Sequence, residues 1–203
     1  MAKMLYLVRH GRTMFNEKNR IQGWCDSILS EQGRKQADGA GAYIRSRGIE
    51  FDYACCSDAG RAAETLEHIT DMPFDRLKGL RETFYGSLEG ESTYLIDTPH
   101  VTSYEDRCRI IQAAGGETYE HLRVRAIVTL EQVMDDPAHT SVLAVTHADL
   151  MRQCYAAWKD DSKARYEEPM QNCCMFVCEY DDGIFNIVEI VNEDFAAMAD
   201  ALA

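Results

Sequence analysis

The chain has 203 residues, 46% of them hydrophobic and 27% charged, which suits one domain with a real core and excludes a disordered tail. Thirty-four acids against 21 Lys and Arg give a net charge of −13, so a non-specific nucleic-acid binder or an anionic-membrane binder is not expected, and an anionic ligand would need a locally positive pocket. No apolar run reaches the roughly 18 residues of a spanning helix. The opening residues read as a strand, not as a signal peptide.

Lys3 to Val8 is a short apolar run ending at Arg9-His10-Gly11, the pattern of a buried strand. A polar loop follows from Arg12 to Ile28. Ser30 can cap a helix that Gly48 closes, with Ala37, Ala40 and Ile44 inward and Gly33, Gly39 and Gly41 either weakening it locally or allowing close packing. Phe51 to Cys56 reads as a second strand, and Ala62, Ala63, Leu66 and Ile69 then recur at helical spacing. Leu77 lies in a short strand. Residues 91–116, with Pro99 and Gly115-Gly116, read as an irregular lid or insertion.

Glu117 to Met134 carries the clearest helical period, through Tyr119, Leu122, Ala126, Leu130 and Val133. Val142 to Val145 is a β-branched strand running into Thr146-His147, and Leu150 to Trp158 is helical again. Cys174 to Glu179 and Phe185 to Val191 flank Asp181-Asp182-Gly183, a hairpin signal. Alternating strands and helices predict a three-layer αβα sandwich, its sheet mostly parallel with one antiparallel edge strand, in a single domain over 1–203. The eight cysteines show no C-x-x-C pair and lie partly in apolar stretches, so they read as buried, reduced thiols of a cytoplasmic protein.

His10 and His147 each follow a predicted strand, and Arg61 follows another at a helix start, so two histidines and the arginines Arg9 and Arg61 converge on one sheet edge. Such a cluster in an acidic chain suits phosphate.

The residues in order resemble the histidine phosphatase superfamily, which includes the cofactor-dependent phosphoglycerate mutases. R-H-G-x-T-x-x-N matches Arg9, His10, Gly11, Thr13 and Asn16. Gln22-Gly23-Trp24-Cys25-Asp26 and Leu29-Ser30-Glu31-Gln32-Gly33 are similar to the next elements. Ser57, Arg61 and Thr65 follow, then L-x-E-x-x-x-G-x-x-E-G at Leu80, Glu82, Gly86, Glu89 and Gly90. Gly116-Glu117-Thr118 with Arg125, then His147 and Asn172, complete the set.

The resemblance implies a phosphoglycerate mutase-like fold and a set of roles. His10 would be the nucleophile; Arg9, Arg61 and His147 would hold the phosphoryl oxygens; Glu82 would protonate the leaving oxygen. Asn16, Gln22, Gly23, Tyr85 and Ala148 would contact substrate. No metal is implied, and no cofactor, except bisphosphoglycerate in a mutase. The implied partner is a small-molecule phosphomonoester, and the resemblance allows a homodimer.

Hydrolysis of a phosphomonoester is the leading reading, because the family's mutases carry a longer insertion than the 34 positions from Glu82 to Gly116. A mutase and a phospho-ligand-binding regulator without turnover are the rivals. Sugar phosphates, phosphoglycerates, nucleotides and phosphopeptides stay open as substrates. His68, His100, His121 and His139 read as structural or surface residues, and Glu89 as structural. Arg12, Asp149 and Asp58-Ala59-Gly60 depart from the family pattern. If Asp149 points inward it repels phosphate, unless it pairs with Arg12.

Overall fold

In the computed structural model, which describes residues 2–101 and 103–202, Lys3–Arg9 forms the central strand β1. Its side chains alternate between two cores. Leu5 and Leu7 enter one, and Tyr6 and Val8 the other. Burial on both faces is what an uninterrupted apolar strand requires.

Thr13 caps a single helical turn, α1 (Met14–Glu17), in a reciprocal capping box with Asn16. Ser30 caps α2 (Glu31–Ser46) by accepting from Gly33 N–H, and Gly48, with φ of 64°, turns the chain out of it. β2 (Tyr53–Ser57) leads into α3 (Gly60–Ile69), and β3 (Asp75–Leu77) is short.

Residues 91–116 differ from the irregular reading. They contain a 3-10 turn at Thr93–Leu95 and a ten-residue helix, α4 (Tyr104–Ala113). Ser103 caps α4, accepting from Asp106 N–H at 3.1 Å. A cap followed by two acids and an Ile pair was the available signal.

α5 (Tyr119–Asp135), β4 (Ser141–Thr146) and α6 (Ala148–Trp158) follow. All five residues that carried the α5 period are buried. β5 (Met175–Asp181) and β6 (Ile184–Val191) form the hairpin, whose turn has positive φ at both Asp182 and Gly183. A final helix, α7 (Phe195–Leu202), had no counterpart in the sequence reading; it packs on α2.

The six strands make one sheet in the order β3-β2-β4-β1-β5-β6. β3, β2, β4 and β1 run parallel, and the β5–β6 hairpin closes the sheet as the antiparallel edge. α2, α3 and α7 cover one face, through Ala40, Ala63, Leu66 and Phe195. α5 and α6 cover the other, through Leu122, Ala126, Leu150 and Cys154. The result is the expected αβα sandwich. All eight cysteines are free thiols, and six of them are buried. Among the described residues no helix is long and apolar enough to cross a membrane.

Candidate active site

Register brings the strand ends together. Arg9 pairs with Thr146, and Cys56 with Val145, so the residues after β1, β2 and β4 emerge side by side. His10 N–H donates to Thr146 O at 2.9 Å. The turn after β1 is tied down further. Gly11 N–H donates to Thr65 Oγ1 (2.9 Å), whose own hydroxyl donates to Arg61 O. Asn172 Nδ2 donates to His10 O at 3.0 Å. A Cβ on Gly11 would lie 2.5 Å from Gly33 O, so only glycine allows this approach of loop to helix.

His10 is buried, and its Nδ1 lies 2.8 Å from the carbonyl of Gly11. A carbonyl only accepts, so Nδ1 carries the proton and Nε2 keeps its lone pair. Burial, then the guanidiniums of Arg61 and Arg9, hold the His10 pKa well below the usual imidazole value. His147 is also buried, edge-on to His10 with ring centroids 5.2 Å apart. Burial first, then Arg61, depresses its pKa in the same way. Two neutral imidazoles therefore sit beside two guanidiniums.

Arg61 is fully enclosed at the start of α3. It donates to the carbonyls of Gly23 (2.8 Å) and Cys25 (3.1 Å) and to Asp26 Oδ1 (2.9 Å). Arg9 donates to Met170 O. Thr13 Oγ1 donates to Gln22 Oε1 at 2.7 Å. Among the described residues, several buried polar atoms make no hydrogen bond: Nε of Arg9, Nε of Arg61, Nε2 of Gln22 and both ring nitrogens of His147. Buried polar atoms of this kind are costly unless a partner completes their hydrogen bonds.

Glu82 reaches the same floor from the loop after β3. Its carboxyl accepts the N–H groups of Thr83 (2.9 Å), Asp149 (3.0 Å) and Leu150 (3.2 Å), the last two in the first turn of α6. Those bonds and Arg61 favour the ionised form, but burial and then the Asp149 charge outweigh them and raise the Glu82 pKa. The loop itself is braced twice. Arg125 donates to the carbonyls of Gly79, Arg81 and Glu82 while paired at 2.8 Å with buried Glu117. Glu89 accepts from the N–H groups of Gly23, Trp24, Cys25 and Tyr85, the structural role read for it from sequence.

A cleft of about 160 Å³ opens over His10. Arg9, His10, Asn16, Gln22, Glu82, Tyr85 and Ala148, all singled out from sequence, line it. Arg61 and His147 do not line it; they lie in the buried layer around His10. Gly23 is no part of the lining either. Its backbone carries Arg61 and Glu89, and a Cβ there would meet Thr83 O at 2.1 Å. Trp24 stands against Phe84, with its indole N–H on Glu82 O at 3.1 Å.

Eight lining residues were not singled out as site residues, among them the charged side chains of Arg20, Asp97, Arg107, Asp149 and Arg152. Asp149 does point inward, but the expected pairing with Arg12 does not form. Arg12 faces Glu17 at 3.9 Å on the surface, and Asp149 is paired with Arg107 (3.3 Å) and Arg152 (2.9 Å). Arg107 comes from α4, the helix that the sequence reading missed, so its partner was missed with it. A second cleft of about 510 Å³ adjoins the first and shares Arg107, Asp149 and Arg152 with it.

Residues 5–193 match the family described as "Histidine phosphatase superfamily (branch 1)". The chain belongs to that superfamily. It is 42% identical over 94 residues to the 2,3-bisphosphoglycerate-dependent phosphoglycerate mutase of Hamiltonella defensa, a match covering 43% of this chain and 38% of that protein. The matches span under half the length of the curated relatives concerned. Among solved structures, a phosphoglycerate mutase from Bacillus anthracis superposes with a TM-score of 0.83 at 26% identity, covering 98% of this chain and 97% of that one. The mycobacterial glucosyl-3-phosphoglycerate phosphatase Rv2419c superposes with a TM-score of 0.69 at 26% identity, covering 88% and 92%. Proteins named as mutases and as phosphatases thus share this fold.

Proposed function

We propose that the protein moves phosphoryl groups from phosphomonoesters through a phosphohistidine at His10, with water as the final acceptor. The observation that carries the reading is the set of unpartnered buried donors around a neutral imidazole with a free Nε2. A phosphoryl group seated against His10 would give Arg9 and Gln22 of the lining the acceptor they lack, with the charge of Arg61 and the ring of His147 in the buried layer behind them. Asn16 and Tyr85 lie within the same lining.

The reaction then follows from proton positions. Nε2 of His10 attacks phosphorus as the ester P–O bond breaks. The protonated carboxyl of Glu82 hands its proton to the departing oxygen. Glu82, now ionised, takes a proton from water, which attacks the phosphohistidine and releases phosphate. The protein needs no cofactor in this scheme. The free, buried thiols support a reducing, cytoplasmic setting.

A second reading differs only in the acceptor. In a phosphoglycerate mutase the phosphohistidine passes its group to another phosphoglycerate, and bisphosphoglycerate primes His10. The curated mutases at 41–42% identity favour it, and it stands level with hydrolysis. Phosphate release from a panel of phosphomonoesters, run beside 3-phosphoglycerate with and without bisphosphoglycerate, separates the two. Net release that vanishes in His10→Ala supports hydrolysis. Isomerisation without net release supports the mutase. Silence in both, with phosphate still bound, would overturn turnover and leave a phospho-ligand-binding regulator.

A further inference from the structure

We infer that Asp149 is a positioning residue of the phosphoryl-transfer site, acting through Glu82 on the proton given to the leaving oxygen and holding Arg107 at the cleft. The inference rests on the reading of Glu82 as proton donor given above.

The geometry is specific. Asp149 is buried in the first turn of α6, and its carboxylate collects groups from four parts of the chain. Oδ2 accepts from Tyr85 OH (2.6 Å), Tyr119 OH of α5 (3.1 Å) and Arg107 of α4 (3.3 Å). Oδ1 accepts from Arg152 of its own helix at 2.9 Å. The backbone N–H of the same residue donates to Glu82 Oε2 at 3.0 Å. One residue thus touches the acid directly and anchors a basic side chain of the lining.

The two carboxyls are driven apart. Burial pushes Asp149 up, but Arg107 and Arg152 outweigh it and bring it down to about 2. Tyr85 and Tyr119 donate to it as well, and Tyr104, Cys108 and Glu82 also face it. Glu82 has Arg61 of α3 and Arg9 of β1 near it, with Tyr85 beside it, but among the described residues it has no side-chain ion pair, and it faces the charge of Asp149. Two like charges so close do not both ionise readily, and only Asp149 is paired. Of the two carboxyls, Glu82 is therefore the one that takes a proton more readily, where the leaving oxygen needs it. As the P–O bond breaks, its electron pair stays on that oxygen, the Glu82 O–H bond passes its proton there, and the Nε2–P bond forms. A neutral side chain at Asp149 would keep the shape but not the charge.

The test is Asp149→Asn in the full chain. The basic limb of the kcat–pH profile should move about one pH unit towards acid, with KM rising no more than about twofold. The loss above neutral pH should reach about tenfold for an alkyl phosphate and be smaller for p-nitrophenyl phosphate, whose leaving group needs little proton help. In a Glu82→Gln background, Asp149→Asn should add little further loss. An unmoved limb, a loss carried by KM, or an additive double variant would overturn the inference. Should Asp149→Asn not fold, Asp149→Ser carries the same comparison. If the wild type turns over no phosphomonoester, the functional reading fails separately. The 13C titration of the Glu82 carboxyl then decides: its midpoint falls in the Asp149 variant, or stays put and refutes the coupling.

Discussion

The imidazole of His10 meets that of His147 edge-on, ring centroids 5.2 Å apart and planes at 60°, with both rings buried. Each is held neutral, and each has a pKa well below its unfolded value. Below about pH 6.5 the unfolded chain takes up protons at these positions that the folded chain refuses. Stability therefore falls as pH drops below about 6.5, continuing down to the depressed folded values, with each ring contributing up to about 1.4 kcal/mol per pH unit. Urea midpoints between about pH 8 and pH 5 should show this slope, and His147→Asn should flatten it. Equal slopes in the two proteins would refute the account.

Glu82→Gln removes the proton but keeps a similar shape. Hydrolysis of alkyl phosphates should fall by about 10²–10⁴-fold, and that of p-nitrophenyl phosphate by much less. A uniform loss for both leaving groups would show that Glu82 does something other than donate a proton.

Glu117 and Arg125 form a mostly buried pair, bonded at 2.8 Å through both Nε and Nη2, that also holds three carbonyls of the Glu82 loop. Glu117→Ala leaves Arg125 uncompensated and should cost about 3–5 kcal/mol. The loss in the Glu117→Ala, Arg125→Ala double variant should be well below the sum of the two single losses. Chemical denaturation measures both, and simple additivity would mean the pair does not act as a unit.

Gly39 lies where α2 meets α7, and a Cβ there would stand 1.8 Å from Phe195 O. Gly39→Ala should destabilise by about 1–3 kcal/mol, since backbone rather than a flexible side chain must yield. A urea midpoint equal to that of the wild type would mean α7 is not firmly seated.

Much of this was legible beforehand for a local reason. A strand buried on both faces reads as an apolar run, and α5 shows its inward stripe through Tyr119, Leu122, Ala126, Leu130 and Val133. The strand-end positions of His10, Arg61 and His147 follow from such runs, and parallel pairing then gathers their ends at one edge. The family motif supplied Glu82, which no periodicity would pick out, and the site it named now has a lining.

Tertiary structure alone decided the rest. Arg107 and Asp149 are 42 positions apart, and Tyr85 and Asp149 are 64 apart. No local period links them, so an acid two positions after His147 read as a source of repulsion until its partners were in place. The same holds for Arg61, whose position was plain but whose guanidinium is spent partly on the carbonyls of Gly23 and Cys25. The sequence by itself determined that His10, Arg61 and His147 follow strands whose ends lie side by side, because burial patterns and turn residues act over a few neighbours. Packing decided which charges meet, because the field at a buried carboxyl is summed over groups that only the fold brings near.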